Sequence, residues 1–262
     1  MKRNIYSILA AATMVATVFA SCEKGNGNNN DSEPAPDPEP ELHTSLKGSD
    51  YAIVFMDDTT IGSIEEKISL DLRNNGANIN WYDWAGNTMG IEKSGKNFYG
   101  GDETSWLAIK LADVGAGWSG AGMNVTSDTP GLKDYFARVA AEPSKYYLHF
   151  AYKSSQSGKG AVIYPAWYSN DTYKVSIGET AQTVYDSSIG VTEEKELLTP
   201  LSGQYKAGEW NEYEICVADF NYDYSAEYSD GATNVFCVLL GADAENDLNK
   251  EFEVDAVFYY KK

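Results

Sequence analysis

Three short segments interleave aromatic rings with Asp and Asn side chains: residues 80–87 (NWYDWAGN), 164–171 (YPAWYSND) and 220–225 (FNYDYS). Sugars bind proteins by laying their apolar C–H faces on aromatic rings while their hydroxyls bond to nearby polar groups. The segments therefore predict a shallow carbohydrate-binding surface. The candidate ligand-binding residues are Trp81, Tyr82, Asp83, Trp84, Asn87, Tyr164, Trp167, Tyr168, Tyr222 and Tyr224.

Each aromatic segment also has a purely structural interpretation. Trp81 and Trp84 are three residues apart, so they lie on opposite faces of a strand and one of them can belong to the core. The neighbouring residues Trp167 and Tyr168 are separated in the same way if that segment is extended. Tyr222 and Tyr224 share a face, where they form a platform for a ligand or pack a loop onto the domain.

The residue inventory excludes several kinds of catalytic site. The chain has two histidines, His43 and His149, which leaves little for a histidine triad or a multi-histidine metal centre. His149 lies inside a predicted strand, which indicates a hydrogen-bonded structural residue. Cys216 and Cys237 lie in apolar runs without CxxC spacing, so they form a disulfide or remain buried thiols.

Carboxylates leave one enzymatic alternative open. A glycosidase needs two of them, roughly 5 to 10 Å apart. The acidic stretches 193–196 and 219–223 supply carboxylates, and we interpret both as solvated loops. A glycoside hydrolase or lyase therefore stays as the alternative to a binding protein, together with an adhesin or assembly protein that binds another protein.

The start of the chain predicts export and lipid attachment. Lys2 and Arg3 precede an uncharged apolar run that ends in the small-residue cleavage site Phe19-Ala20-Ser21-Cys22, which resembles the lipobox of bacterial lipoproteins. The resemblance makes residues 1–21 a signal peptide and Cys22 the lipidated first mature residue. An ordinary secretory signal is the alternative.

The residues that follow Cys22 predict a tether. Residues 22–45 are acidic and rich in Asn, Gly and Pro, a composition that cannot bury a core and gives a semi-rigid spacer. The acidic tract after the cysteine resembles the surface-export signal of lipoproteins in glycan-foraging Gram-negative bacteria. These resemblances imply an outer-membrane protein, lipid-anchored and facing the exterior, beside a neighbouring glycan-uptake complex.

The charge of the chain narrows the class of ligand. The sequence carries 20 basic and 39 acidic residues, a net charge of −19, and removal of residues 1–21 takes away two basic residues and leaves −21. A chain this acidic repels nucleic acid and anionic polysaccharides, so neutral or metal-bridged ligands are favoured. The alternative is that the acidity only keeps a secreted domain soluble.

Residues 46–262 predict one all-β domain. Short β-prone runs, bounded by Gly, Asn or Asp, follow one another along the chain, and a single helical pattern occupies residues 131–140. Alternation in the runs places one face inward and the other toward water, which is typical of a sandwich of two antiparallel sheets. We expect at most one or two short helices. The runs are residues 51–56, 68–72, 106–111, 146–152, 213–217, 235–240 and 252–260.

Four segments of this domain resemble jelly-roll carbohydrate-binding modules: residues 117–123, 145–153, 208–215 and 254–259. The resemblance implies a jelly-roll fold and makes Trp118 and Trp210 structural residues. It also implies a structural calcium ion between an early acidic segment and the terminal strand, where oxygen ligands would come from carboxylates and backbone carbonyls. The candidate calcium ligands are Asp57, Asp58 and Asp255, which otherwise occupy a polar turn and an outward strand position.

Overall fold

The computed structural model describes sixteen stretches of the chain, and the residues from His43 to Lys262 belong to one compact unit. The described residues are 43–65, 67–69, 79–84, 88–92, 96–101, 106–111, 118–125, 129–154, 161–164, 175–179, 182–185, 195–198, 200–201, 205–220, 233–241 and 247–262.

Strands dominate the described residues. They are β1 (Ser49–Phe55), β2 (Lys67–Ser69), β3 (Ile79–Trp84), β4 (Thr88–Glu92), β5 (Trp106–Lys110), β6 (Trp118–Val125), β7 (Tyr146–Ser154), β8 (Ala161–Tyr164), β9 (Val175–Ile177), β10 (Gln182–Tyr185), β11 (Lys195–Leu198), β12 (Asn211–Cys216), β13 (Thr233–Gly241) and β14 (Glu251–Lys261). The α-helices are α1 (Asp58–Gly62) and α2 (Leu132–Ala141), and 3-10 turns occupy Thr44–Leu46, Pro143–Lys145 and Val217–Phe220.

The strands form two large sheets. Sheet A has the order β12-β7-β14-β1-β2, and β5 extends it by pairing with β14 and with β4. Sheet B has the order β3-β6-β13-β8-β9, and β10 pairs separately with β11. The prediction of an all-β, jelly-roll sandwich with short helices is confirmed. One pairing was not predicted, because β1 and β2 run parallel.

The main core lies between the two sheets. Leu148, Phe150 and Tyr152 alternate along β7 and are fully buried, as their spacing predicts. Phe150 reaches across to Phe236 of sheet B, with ring centroids 5.4 Å apart. Val238, two residues further along β13, joins the same core. Burying this apolar surface is the main favourable term in folding.

The outer face of sheet A is also covered, which corrects one expectation. Alternation predicts that His149 and Ala151 of β7 face water, yet both are fully buried. A second apolar cluster covers this face, and it gathers residues from the turn Thr44–Leu46, from α1 and from the segment 96–101. Its buried members are Tyr51, Ile53, Met56, Ile64, Ala256, Phe258 and Tyr260, packed against Leu46, Ile61, Phe98, Tyr99 and Tyr147.

Helix α2 packs one apolar stripe against the sandwich. It begins after Gly131, whose φ of +77° is a left-handed conformation that suits glycine. Tyr135 and Phe136 are fully buried, whereas Arg138 points outward and forms a two-pronged ion pair with Asp50 of β1, with N···O distances of 2.9 and 2.7 Å. The helix predicted at residues 131–140 is thereby confirmed.

Candidate functional site

The register of sheet B decides which predicted residues share a face. In an antiparallel pair, residues directly opposite one another lie on the same face. Trp81 and Asp83 of β3 pair with Met123 and Ala121 of β6, which are both buried in the main core. Trp81 and Asp83 therefore occupy positions on the core face of the strand.

The alternate positions of β3 belong to the other face of sheet B. Tyr82 pairs with Gly122, and Trp84 pairs with Gly120. Three strands away from β3, Tyr164 of β8 occupies a matching position, because it pairs with Cys237 and Cys237 pairs with Gly122. The fold thus brings three of the predicted residues to one face, and we call Tyr82, Trp84, Tyr164, Gly120 and Gly122 the outer aromatic face.

Gly120 and Gly122 of β6 and Cys237 of β13 lie between β3 and β8 on the outer aromatic face, and all three are buried. Gly120 and Gly122 occupy the middle of β6, between β3 on one side and β13 on the other. Glycine inside a strand gives up side-chain packing, and such a residue often marks a site where a ligand approaches the backbone closely. In the sequence these glycines belong only to the segment 117–123 that resembles jelly-roll modules. The strand register shows that they lie opposite Tyr82 and Trp84.

The remaining predicted ligand-binding residues are not located by the structure. Asn87, Trp167, Tyr168, Tyr222 and Tyr224 lie outside the described residues, as does the predicted lipidation site Cys22.

Two of the three candidate calcium ligands approach each other beside the outer face of sheet A. Asp57 and Asp255 are both buried, whereas Asp58 is exposed. Burial raises the pKa of Asp255 to about 7, and the neighbouring charge of Asp57 raises it as well, against two backbone N–H groups that lower it. Those groups, of Phe98 and Ala256, donate to its two carboxylate oxygens at 2.8 and 2.7 Å.

The donor set at Asp57 fits a cation only in part. Its Oδ1 caps α1 by accepting from the backbone N–H of Thr60 at 2.8 Å, and its Oδ2 is buried without a hydrogen-bond partner. An orphaned, buried carboxylate oxygen close to a second carboxylate is a suitable start for a Ca²⁺ site. Across the described stretches, however, no group of three or more His, Cys, Asp or Glu side chains is arranged to hold a metal ion. Asp58, exposed at the first position of α1, is not part of this pair.

Three structural expectations can be compared with the described residues. His149 is a hydrogen-bonded structural residue, as predicted. Cys216 and Cys237 lie on β12 and β13, in different sheets, and are not disulfide-bonded, so the disulfide alternative is not realised. Trp210 is half-buried and packs against the main core, in line with a structural role, and the ammonium of Lys153 lies 4.6 Å from the centre of its ring.

A surface cavity of about 550 Å³ lies where α2 meets the ends of β1 and β14. Its lining includes Asp50, Arg138, Glu142 and Lys261. Asp50 is paired with Arg138, and Glu142 with Lys261 at 2.6 Å. Because these charges already satisfy one another, we interpret the cavity as the junction that holds α2 to sheet A.

No protein-family model matches the chain, and no curated protein matches it. Solved structures that resemble it include SGBP-B from a complex xyloglucan utilization locus in Bacteroides uniformis, with 13% identity and a TM-score of 0.42 over 80% of this chain and 49% of that one. The chain thus spans about half the length of that protein. A family 11 carbohydrate-binding module of Clostridium thermocellum shows 13% identity and a TM-score of 0.31 over 74% and 93% of the two chains. A carbohydrate-binding module that recognises mannan shows 14% identity and a TM-score of 0.34 over 70% and 89%.

Within the described part of the chain, none of the helices has the length and apolar character needed to cross a membrane.

Proposed function

We propose that this protein binds a carbohydrate without transforming it, and that the outer aromatic face of sheet B is the binding surface. The observation that carries the proposal is the strand register, which assigns Tyr82, Trp84 and Tyr164 to positions on one face of sheet B, with Gly120 and Gly122 of β6 and Cys237 of β13 between β3 and β8. Several aromatic positions on one face suit a flat, extended sugar chain, because each ring can stack on one sugar face.

Charge favours a neutral glycan as the ligand. The net charge of −19 repels acidic polysaccharides, and the outer aromatic face contains no basic residue among its five members. Stacking and hydroxyl hydrogen bonds do not depend on ligand charge, so they suit a neutral polysaccharide or oligosaccharide.

The predicted signal peptide and lipidation site indicate where in the cell the protein would bind its ligand. We propose that Cys22 carries the lipid, that residues 22–45 act as a spacer, and that the domain is displayed on the exterior of the outer membrane. A tethered binding domain at this location would hold polysaccharide for a neighbouring glycan-uptake complex. Metabolic labelling with a fatty-acid probe tests the anchor, because a Cys22→Ser variant should lose the label.

A structural calcium ion would fit the same account. Asp57 and Asp255 are the residues that would hold it, with backbone carbonyls completing the shell. Its contribution would be to join the start of α1 to β14 and so to support the covered face of sheet A, with no part in glycan binding.

One experiment separates binding from catalysis. The chain is run through native gels containing a panel of neutral polysaccharides, and the same polysaccharides are incubated with it and assayed for reducing ends and unsaturated products. We expect retarded migration with at least one polysaccharide and no product. Release of reducing ends or unsaturated sugars would establish the hydrolase or lyase alternative and overturn the proposal.

A further inference from the structure

Ser176 is a buried serine in the middle of β9. Its exposed fraction is 1%, and its Oγ makes no hydrogen bond to any residue that the structure describes. Val175 and Ile177, on either side of it, belong to the main core. Because side chains alternate along a strand, the Ser176 side chain belongs to the other face of sheet B. That face is the one on which the outer aromatic face lies.

The strand register connects Ser176 to the outer aromatic face. Ser176 pairs with Val162 of β8, Val162 pairs with Leu239 of β13, and Leu239 pairs with Gly120 of β6. Gly120 in turn pairs with Trp84 of β3. Paired residues lie on the same face of an antiparallel sheet. Ser176 and Trp84 therefore occupy the two ends of one row that crosses all five strands of sheet B.

A buried hydroxyl without a hydrogen bond is unfavourable for folding. Taking it out of water without giving it a new partner destabilises the folded state. The backbone of Ser176, by contrast, is satisfied, since its carbonyl oxygen accepts from the N–H of Leu201 at 2.8 Å. The side-chain hydroxyl is both a donor and an acceptor, so it can bond to a sugar hydroxyl. A ligand on this face would give the Ser176 hydroxyl the partner that the described fold does not supply.

The β10–β11 hairpin begins and ends beside Ser176. The chain leaves β9 at Gly178, whose φ of +111° suits glycine. It returns at Pro200 and Leu201, and Pro200 forms a parallel bridge with Ser176. Among the described strands, β10 and β11 pair with each other and with no third strand. A two-stranded hairpin is marginally stable by itself, so this one depends on packing against its surroundings.

Strand β8 is the surrounding element that β10 approaches most clearly. Both edges of β8 are already paired, with β13 and with β9, and its inner face carries Ala161 and Ile163 of the main core. The outer face of β8 and its ends are therefore what is left for β10. Cys237, which pairs with Tyr164 of β8, is fully buried on this outer face. The outer face of sheet B is thus covered next to β8.

We propose that the Ser176 hydroxyl is a further glycan-binding group, and that it hydrogen-bonds a hydroxyl of the bound sugar chain beneath the β10–β11 hairpin. The inference rests on the proposed function, because the ligand is the neutral glycan that stacks at Trp84. Neighbouring strands lie about 4.8 Å apart, so the row from Trp84 to Ser176 is roughly 19 Å long. A ligand that reaches both ends is a chain of several sugars. Because Ser176 is buried, the hairpin moves outward when the sugar enters.

Replacement of Ser176 by alanine separates a binding role from a structural one. The unaltered full chain and Ser176→Ala are run through native gels that contain a mannan, a xyloglucan or a mixed-linkage β-glucan, and the thermal unfolding of both is measured. We expect Ser176→Ala to bind roughly threefold to tenfold more weakly to each polysaccharide that retards the unaltered chain. Its melting temperature should be unchanged or higher, because the lost hydroxyl makes no hydrogen bond within the described fold.

Ser45→Ala is the matched control. Ser45 is also buried, but its Oγ lies 2.8 Å from Nδ1 of His43 and 3.0 Å from the hydroxyl of Tyr99. The substitution at Ser45 should lower the melting temperature by roughly 2 to 6 °C and leave polysaccharide binding unchanged. Full affinity in Ser176→Ala would overturn the inference. A fall in its melting temperature as large as that of Ser45→Ala would also do so, since the hydroxyl would then be structural.

A double-mutant cycle tests the part of the hairpin. Val184 of β10 pairs with Glu196 of β11, so Val184→Pro interrupts the hairpin, whereas Val184→Thr keeps a β-branched residue and serves as its control. We expect Val184→Pro to weaken binding as Ser176→Ala does, and the double variant to bind no more than about twofold more weakly than either single variant. Two effects that multiply would show that the hairpin and Ser176 act independently, and they would overturn the proposal.

The outcomes separate this inference from the proposed function. If no polysaccharide retards the unaltered chain, the proposed function fails, and the role of Ser176 fails with it. If Trp84→Ala weakens binding and Ser176→Ala does not, the proposed function stands and the role of Ser176 is wrong.

Discussion

At the scale of single residues, the register of β3 places its two tryptophans at positions on opposite faces of sheet B. Trp81 shares a face with Met123 in the core, and Trp84, three residues later, shares a face with Gly120 on the outer aromatic face. The two tryptophans of one short segment therefore occupy positions on different faces of sheet B, and we propose packing for the first and ligand stacking for the second.

This difference predicts opposite consequences of removing each ring. Trp84→Ala should weaken glycan binding by about 1 kcal/mol or more while leaving the melting temperature nearly unchanged, because a stacked ring is lost but no core is opened. Trp81→Ala should destabilise the domain by roughly 3 to 5 kcal/mol, because a large core side chain is removed. Affinity electrophoresis and thermal unfolding of both variants measure the contrast. A Trp81→Ala variant that unfolds normally and loses binding would reverse the assignment of faces.

A second residue-scale prediction concerns the paired aspartates. Addition of Ca²⁺ to chelator-treated protein should raise the melting temperature by roughly 5 °C, since a ligand that binds only the folded state stabilises it. Asp57→Asn should abolish the increase while keeping the helix cap, because Asn also caps helices well. Asp58→Asn is the matched control, and it should respond as the unaltered chain does. If calcium and chelator both leave the melting temperature unchanged, Asp57 and Asp255 do not form a calcium site.

At the scale of elements, α2 is held to sheet A by an apolar stripe and by one charged contact. Asp50 adopts a φ of +49°, a left-handed conformation that Asp tolerates better than most residues. This conformation coincides with a break in the register between β1 and β14, between Ser49 and Ala52. In this position the Asp50 carboxylate accepts from Arg138 and, at 2.6 Å, from the hydroxyl of Tyr146. The irregularity of β1 at Asp50 thus places its carboxylate within hydrogen-bonding distance of Arg138 on α2.

The Asp50–Arg138 contact predicts a pH-dependent contribution to stability. The hydrogen bond from Arg138 is the main cause that holds the pKa of Asp50 below its usual value. A carboxylate with a lowered pKa stabilises the fold above about pH 4, and the contribution is lost as pH falls through the lowered pKa. Arg138→Met, which keeps the apolar stem, should cost about 1 kcal/mol at pH 7 and almost nothing near pH 2.

The control for this prediction lies on the same helix. Lys133 is exposed on α2, and Lys133→Met should leave the unfolding free energy within about 0.5 kcal/mol at either pH. Denaturant unfolding curves at the two pH values give the numbers. A cost of Arg138→Met that is the same at pH 2 and pH 7 would show that packing, and not the ion pair, fastens the helix.

The elements themselves could be predicted from the sequence where periodicity is strong. Strands β1, β7, β13 and β14 and helix α2 follow their apolar patterns closely. Helix α1 was not predicted, because five residues are too few for a helical period to show, and its cap at Asp57 looks like any polar turn. The burial of His149 was also missed, since alternation along one strand cannot reveal that residues 43–46 and 96–101 cover its second face.

For the candidate site, the sequence predicts which aromatic residues are available but not which face of the sheet each of them occupies. The sequence identifies β3 and β8 as aromatic, and alternation shows that Trp81 and Trp84 differ in face. It cannot say which of them faces the core, because that depends on pairing with β6, about forty residues further along the chain. For the same reason the contact between Glu212 and His149, 63 residues apart, has no local signal.

At the scale of the whole molecule, the two sheets have different outer faces. The outer face of sheet A is closed by residues 43–46, α1 and residues 96–101, and it receives the chain at His43. The outer face of sheet B has aromatic residues at Tyr82, Trp84 and Tyr164 and buried residues at Gly120, Gly122 and Cys237.

The most direct test of this account is to map a bound oligosaccharide onto the backbone by NMR, using a neutral glycan that the native-gel panel identifies. The account predicts that amide shifts concentrate on the outer aromatic face, at Tyr82, Trp84, Gly120, Gly122 and Tyr164. Residues on the covered face of sheet A, such as Tyr51 and Tyr147, should not respond. Shifts centred on sheet A, or the absence of binding to every neutral glycan in the panel, would contradict the central claim.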